Sequence, residues 1–260
     1  MIANPTRSTA QRIAIILAVF FQIGASFLPS LGIGEQIGSR SDEVRSLITP
    51  AGWAFAIWGP LYLGSVLLAI YQALPAQRDS DLLARIGWPA AGVFAANGLW
   101  ALYTQLNALT AVSVIIIATG LACVLTAYRR LVDFERPFTT AERWLVMLPL
   151  SALAAWLTAA TIVNITSTAI FYGIGGDGQY PSIAAAIIVV GGIIASLAIW
   201  RGRGNPVYAL VFCWALLAIY LAGGQRAALI ALAAIAAAAL VIGATALKLR
   251  DPASRVKWLG

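Results

Sequence analysis

Residues 48–72 read ITPAGWAFAIWGPLYLGSVLLAIYQ. The stretch is apolar enough to cross a membrane, because about 20 apolar residues span the hydrocarbon. A lipid-facing helix needs only Leu, Val and Ala, yet this one carries Trp53, Phe55, Trp58, Tyr62 and Tyr71. On a regular helix, Phe55, Trp58 and Tyr62 fall within about 60° of one another. Trp53 points elsewhere and reads as an interfacial anchor. Pro60 lacks a backbone donor and is expected to bend the helix beside the aromatic face. The stretch therefore reads as a membrane helix with one ring-lined face, a candidate ligand wall.

The rest of the chain agrees. It has 260 residues, 61% hydrophobic and 10% charged, with a mean hydropathy of +0.86. A soluble domain carries about a quarter charged residues. The acidic residues all fall between the apolar runs, from Glu35 to Asp177 and Asp251. A charge at the bilayer centre costs several kcal/mol, so this clustering is what a membrane imposes. Eight spans are expected, near 13–33, 53–74, 86–104, 107–128, 144–172, 182–200, 207–223 and 226–247. The fold class is all-α and polytopic, with the lipid bilayer as partner.

Orientation follows from the basic residues. Alternate loops on one side collect 14 of the 17 Lys and Arg, leaving Arg40, Arg45 and Arg226 on the other. The bias predicts both termini in the cytoplasm and loop 34–52 outside. The net charge of +7 is then a topology signal, and no nucleic-acid partner is expected. Cys123 and Cys213 lie inside spans, where a free thiol acts as a small apolar residue. The first apolar run is too long for a typical signal-peptide core, and the sequon at Asn164 lies in membrane, where it should not be modified.

Two further spans carry polar and aromatic stripes. Asn97, Trp100 and Thr104 share a face of the third, and Trp156, Ala160, Asn164 and Ser167 share a face of the fifth. A large ring, a gap at alanine and an amide could hold a flat molecule. The alternative is that Asn97 and Asn164 bond across helices, at about 1 kcal/mol each. The sixth and eighth spans are almost wholly Ile, Ala, Val and Gly and read as packing elements, because small residues let helices approach closely. Any chemistry is expected in the first five spans.

With no histidine in the sequence, His-ligated haem, His-containing zinc sites and Ser-His-Asp catalysis are excluded. No carboxylate lies inside a span, and no CxxC, P-loop or dinucleotide motif is present. A conventional enzyme has nothing to work with, and neither catalytic nor metal-binding residues are expected.

At these residues the chain resembles the TspO/MBR family, the tryptophan-rich sensory proteins related to the mitochondrial translocator protein (peripheral benzodiazepine receptor). PAGWAFAIWGPLYLG (50–64) resembles the family's proline-led, Trp-rich entry to its second helix. NGLWALYTQLNAL (97–109) resembles the third-helix N-x-x-W element, and WLTAATIVN (156–164) the fifth-helix W-x-x-x-A-x-x-x-N pattern. The three occur in the family's order and cover roughly residues 10–175. The resemblance implies a TspO-like five-helix bundle over 1–175 followed by a three-helix extension over 176–260. It implies a pocket for porphyrins or other lipophiles, closed by loop 34–52. It also implies pocket roles for Trp53, Phe55, Trp58, Tyr62, Asn97, Trp100, Trp156, Ala160 and Asn164. Typical members end after the fifth helix. In this chain Leu153 stands where many have an aromatic residue, and Pro60 follows Trp58 rather than preceding it.

The leading expectation is an integral membrane protein of a bacterial cytoplasmic membrane that binds a flat hydrophobic small molecule for sensing, sequestration or transfer. Porphyrin or haem would be a ligand without His ligation, not a resident cofactor. A transporter of lipophilic or small neutral solutes and a porphyrin-modifying membrane enzyme are the alternatives. The sequence leaves open whether two copies pair as a homodimer.

Overall fold

The computed structural model describes residues 7–174 and 178–260. Asp177 and the boundary expected between 175 and 176 lie outside the described residues. Eleven helices are described in chain order: α1 (Thr9–Ser26), α2 (Ile37–Glu43), α3 (Trp58–Ala73), α4 (Asp81–Leu106), α5 (Ala111–Val132), α6 (Thr140–Glu142), α7 (Leu148–Phe171), α8 (Pro181–Arg201), α9 (Pro206–Ala222), α10 (Ala228–Lys248) and α11 (Pro252–Trp258). Six segments are long and apolar enough to cross a membrane. The 26-residue α4 is not among them, and α9 is apolar but only 17 residues long, so six of the eight expected spans are met. The protein is an all-α polytopic membrane protein.

Helix starts follow their caps, which is why several bounds differ from the apolar runs. Ser8, Ser80, Thr110 and Asn205 each accept a backbone N–H of the first turn, satisfying donors that a helix start leaves open. Thr139 and Glu142 form a capping box. The cap at Thr110 makes α5 begin at Ala111 rather than near 107. α6 runs into α7 through a π turn at Arg143–Met147. The wider turn lies just before Pro149, whose missing N–H could not pair with the carbonyl of Leu145 in a regular helix.

Pro60 does not bend a helix, as the sequence suggested. Residues Gly52–Ile57 form a 3-10 helix and α3 starts only at Trp58. Pro60 therefore sits in the first turn of α3, where its missing donor would have had no helical partner.

α1 packs along α4, α4 along α5 and α5 along α7. α9 packs on α7, and α8 and α10 pack on each other. The last pair is the close approach expected of its small residues. A Cβ on Gly192 would lie 2.6 Å from that of Ala237.

The loops sort into two ends. At one, Glu35 N–H donates to Gln105 O, Leu47 N–H to Gly178 O and Arg226 to the Gln179 side chain. At the other, Arg7 donates to Gln77 O, Lys257 to Phe134 O and Trp258 to Gly202 O. Arg40, Arg45 and Arg226 lie at the first end, which is the alternation that an even number of spans requires.

Candidate functional site

A cavity lies beneath loop 34–52 at the first end. Its volume is about 60 Å³, room for about two waters. α7 supplies one wall through Trp156, Ala159, Ala160, Val163, Asn164 and Ser167. Trp100 of α4 and Leu109 of the following turn face it, and Phe55 of the 3-10 segment lies on a third side. α9 supplies Ala215 and Ile219, and α2 and its following loop roof the space with Ile37, Ser41 and Pro50.

Of the nine residues the resemblance implied, Phe55, Trp100, Trp156, Ala160 and Asn164 line this cavity. The other four lie outside its wall. Trp58 and Tyr62 stack at 5.3 Å between centroids, and Trp58 also meets Trp156 edge-on at 6.2 Å. Tyr62 shares a hydrogen bond with Ser26 of α1. Trp53 stands edge-on to Trp214 of α9 at 4.7 Å. Asn97 is buried and donates to Gln22 of α1 over 3.5 Å, the limit of a hydrogen bond. These four hold α1, α3, α4 and α9 around the cavity.

The cavity's polar groups divide into committed and open ones. Asn164 Oδ1 accepts from Trp100 Nε1 at 2.9 Å, and Asn164 Nδ2 donates to Ser113 Oγ at 2.9 Å and to Thr168 Oγ1 at 3.3 Å. Thr168 passes the chain on to Leu109 O at 3.1 Å. Asn164 is thus the hub that ties α4, α5 and α7 together. Ser167 Oγ and Trp156 Nε1 are buried and have no partner among the described residues. An unsatisfied buried donor costs about 1–3 kcal/mol, so each invites a ligand or water acceptor.

The lid is pinned by backbone bonds. Glu35 N–H reaches Gln105 O at 2.8 Å, Leu47 N–H reaches Gly178 O at 3.2 Å and Ala51 N–H reaches Ala218 O at 3.1 Å. Trp214 Nε1 donates to Ala54 O at 3.2 Å. Two of these four partners belong to α9, so the seventh span closes the site that the sequence confined to the first five. Ala215, Ala218 and Ile219 carry no polar group and lie in a uniformly apolar helix, so nothing in their pattern marked them. Trp214 was the one visible signal.

Gly223 tests the clamp. A Cβ there would lie 1.9 Å from Leu47 O, and backbone cannot yield as a side chain does. Gly223→Ala is expected to lift residues 47–51 and speed their amide hydrogen exchange, with the α8–α10 contact unaffected. Unchanged exchange at 47–51 would mean that α9 does not hold the lid.

No curated protein and no solved structure matches the chain. A family model described as TSPO-like protein matches residues 8–247, from the cap of α1 to the last turn of α10. The match takes in the three C-terminal helices that the motifs did not reach. The chain belongs to the TSPO-like protein family.

Proposed function

We propose that the protein binds a flat hydrophobic ligand beneath the lid, with a tetrapyrrole as the first candidate. The observation that carries this reading is a cavity beneath the lid lined by three aromatic rings, two of whose lining residues hold unpartnered buried donors. Rings against a flat ligand contribute about 0.5–1.5 kcal/mol each beyond burial. Trp156 and Ser167 would donate to acceptors on its edge, while Asn164 holds the wall.

Small-molecule sites are typically about 300–1,000 Å³, several times the volume of this cavity with the lid down. Binding therefore requires the lid to lift and the roof residues Ile37, Ser41 and Pro50 to move outward. Protoporphyrin IX titrated into the purified protein should quench tryptophan fluorescence saturably. Trp156→Phe and Ser167→Ala each remove a donor while keeping the shape, and each should weaken binding about five- to 150-fold. Saturable binding that is the same in both variants would remove these residues from the site, and no saturable binding would remove the tetrapyrrole.

The same reading sets the protein in a cytoplasmic membrane with the lid outside and both termini inside, supported by the charge bias. In a background lacking Cys123 and Cys213, Asp42→Cys should be labelled from outside and Asp133→Cys only from inside. The reverse would overturn the orientation, and labelling from one side would overturn the span count between them.

A further inference from the structure

The end opposite the lid holds a second cavity, of about 330 Å³. The turn after α5, the turn after α8 and α11 enclose it. Its lining carries three cations, Arg136, Arg203 and Lys257, against one carboxylate, Glu135. Basic residues on this side of a membrane protein are usually a topology signal and need no ligand. Two features here go beyond that.

The first is Lys257, which is only 6% exposed. An ammonium has three donors. One reaches Phe134 O, and the charge lies 4.9 Å from the centroid of the Phe138 ring. Among the described residues, no carboxylate lies within ion-pair distance. Asp133, a carboxylate whose charge reaches the lysine, is paired with Arg129 at 3.6 Å. Burial and the neighbouring Arg203 push the lysine's pKa down to about 8. A buried cation without a counter-ion is costly.

The second is Arg203. Among the described residues it is the one non-glycine with positive φ, at 56°. A residue with a Cβ pays about 1–2 kcal/mol for this conformation, and glycine would avoid it. Its exposed guanidinium makes no hydrogen bond or ion pair within the described residues. Arg136, in contrast, is already fixed on both oxygens of Glu142 at 2.6 and 2.7 Å. Glu135 is exposed and makes no ion pair, so solvent screens its repulsion.

We propose that this pocket binds a phosphate group, held by Lys257 and Arg203, at the cytoplasmic surface of the membrane. Both side chains line this pocket, and a phosphate dianion or diester would supply each with an acceptor and an opposing charge. The phosphate could come from an acidic phospholipid headgroup, which basic pockets at this depth accept, or from a soluble phosphate.

The test uses the full chain in phosphatidylcholine nanodiscs at constant ionic strength. One arm adds inorganic phosphate and the other replaces part of the lipid with phosphatidylglycerol, with thermal unfolding as the readout. Arg203→Gly suits the left-handed backbone, so the variant should fold at least as well as the parent. A rise in melting temperature with phosphatidylglycerol alone, lost in Arg203→Gly and in Lys257→Met, supports a headgroup site. The same pattern with inorganic phosphate supports a soluble ligand. In either case half-saturation should require about tenfold more ligand or greater in Arg203→Gly. No rise in either arm, or an equal rise in Arg203→Gly, overturns the proposal.

Discussion

Asn164→Leu should destabilise the protein by about 1–3 kcal/mol, the cost of stranding buried polar groups. Leucine matches asparagine in shape but leaves Trp100 Nε1 without its acceptor and Thr168 without one of its donors. Ser113 is the least affected, because its hydroxyl also donates to Thr110 O at 2.7 Å. Asn97→Leu supplies the contrast. Its amide makes one bond of 3.5 Å, so its loss should cost well under 1 kcal/mol, near the low end for bonds between membrane helices. Equilibrium unfolding in mild detergent measures both. If Asn164→Leu and Asn97→Leu are alike, the hub at Asn164 is not a structural tie. If ligand also raises stability equally in Asn164→Leu and the parent, that amide touches no ligand.

Ala160→Val should do the opposite, keeping or slightly raising stability while weakening ligand binding at least tenfold. Ala160 lies between Trp156 and Asn164 on the wall of α7 and faces a cavity of about 60 Å³. Two added methyl groups fill much of that space without removing a polar group or overfilling the site. Cavity filling commonly adds about 0.5–2 kcal/mol to stability. The same methyls lie where the ligand's flat face would rest. A variant that is more stable and binds as well as the parent would place the ligand elsewhere.

The sequence revealed the fold more fully than the site. Charges confined between apolar runs marked an all-α polytopic membrane protein, because a bilayer penalises buried charge, and six of the eight expected spans are long and apolar enough to cross. The α7 stripe was equally legible. Trp156, Ala160, Asn164 and Ser167 recur at helical spacing and all line the cavity. Span 2 misled, because a wheel drawn through residues 53–62 assumes a regular helix and Gly52–Ile57 is a 3-10 helix. Asn164 could be read as ligand contact or as an interhelical bond, and pattern alone cannot decide. The partners that decide it, Trp100 and Ser113, lie 64 and 51 residues away. α9 was illegible for a different reason. Apart from Trp214, its contribution is backbone carbonyl and small apolar surface, as at Ala215 and Ala218, which look the same in a helix that merely packs. The cation pocket drew on residues from three separate turns, and the positive bias on that side hid it.

Native mass spectrometry of protein extracted gently from its membrane tests the central claim most directly. The account predicts one apolar, conjugated molecule bound per wild-type chain, exchanging faster with added ligand when the lid clamp is loosened by Gly223→Ala, and absent from Ala160→Val. An identical adduct on all three proteins would contradict a ligand site beneath the lid.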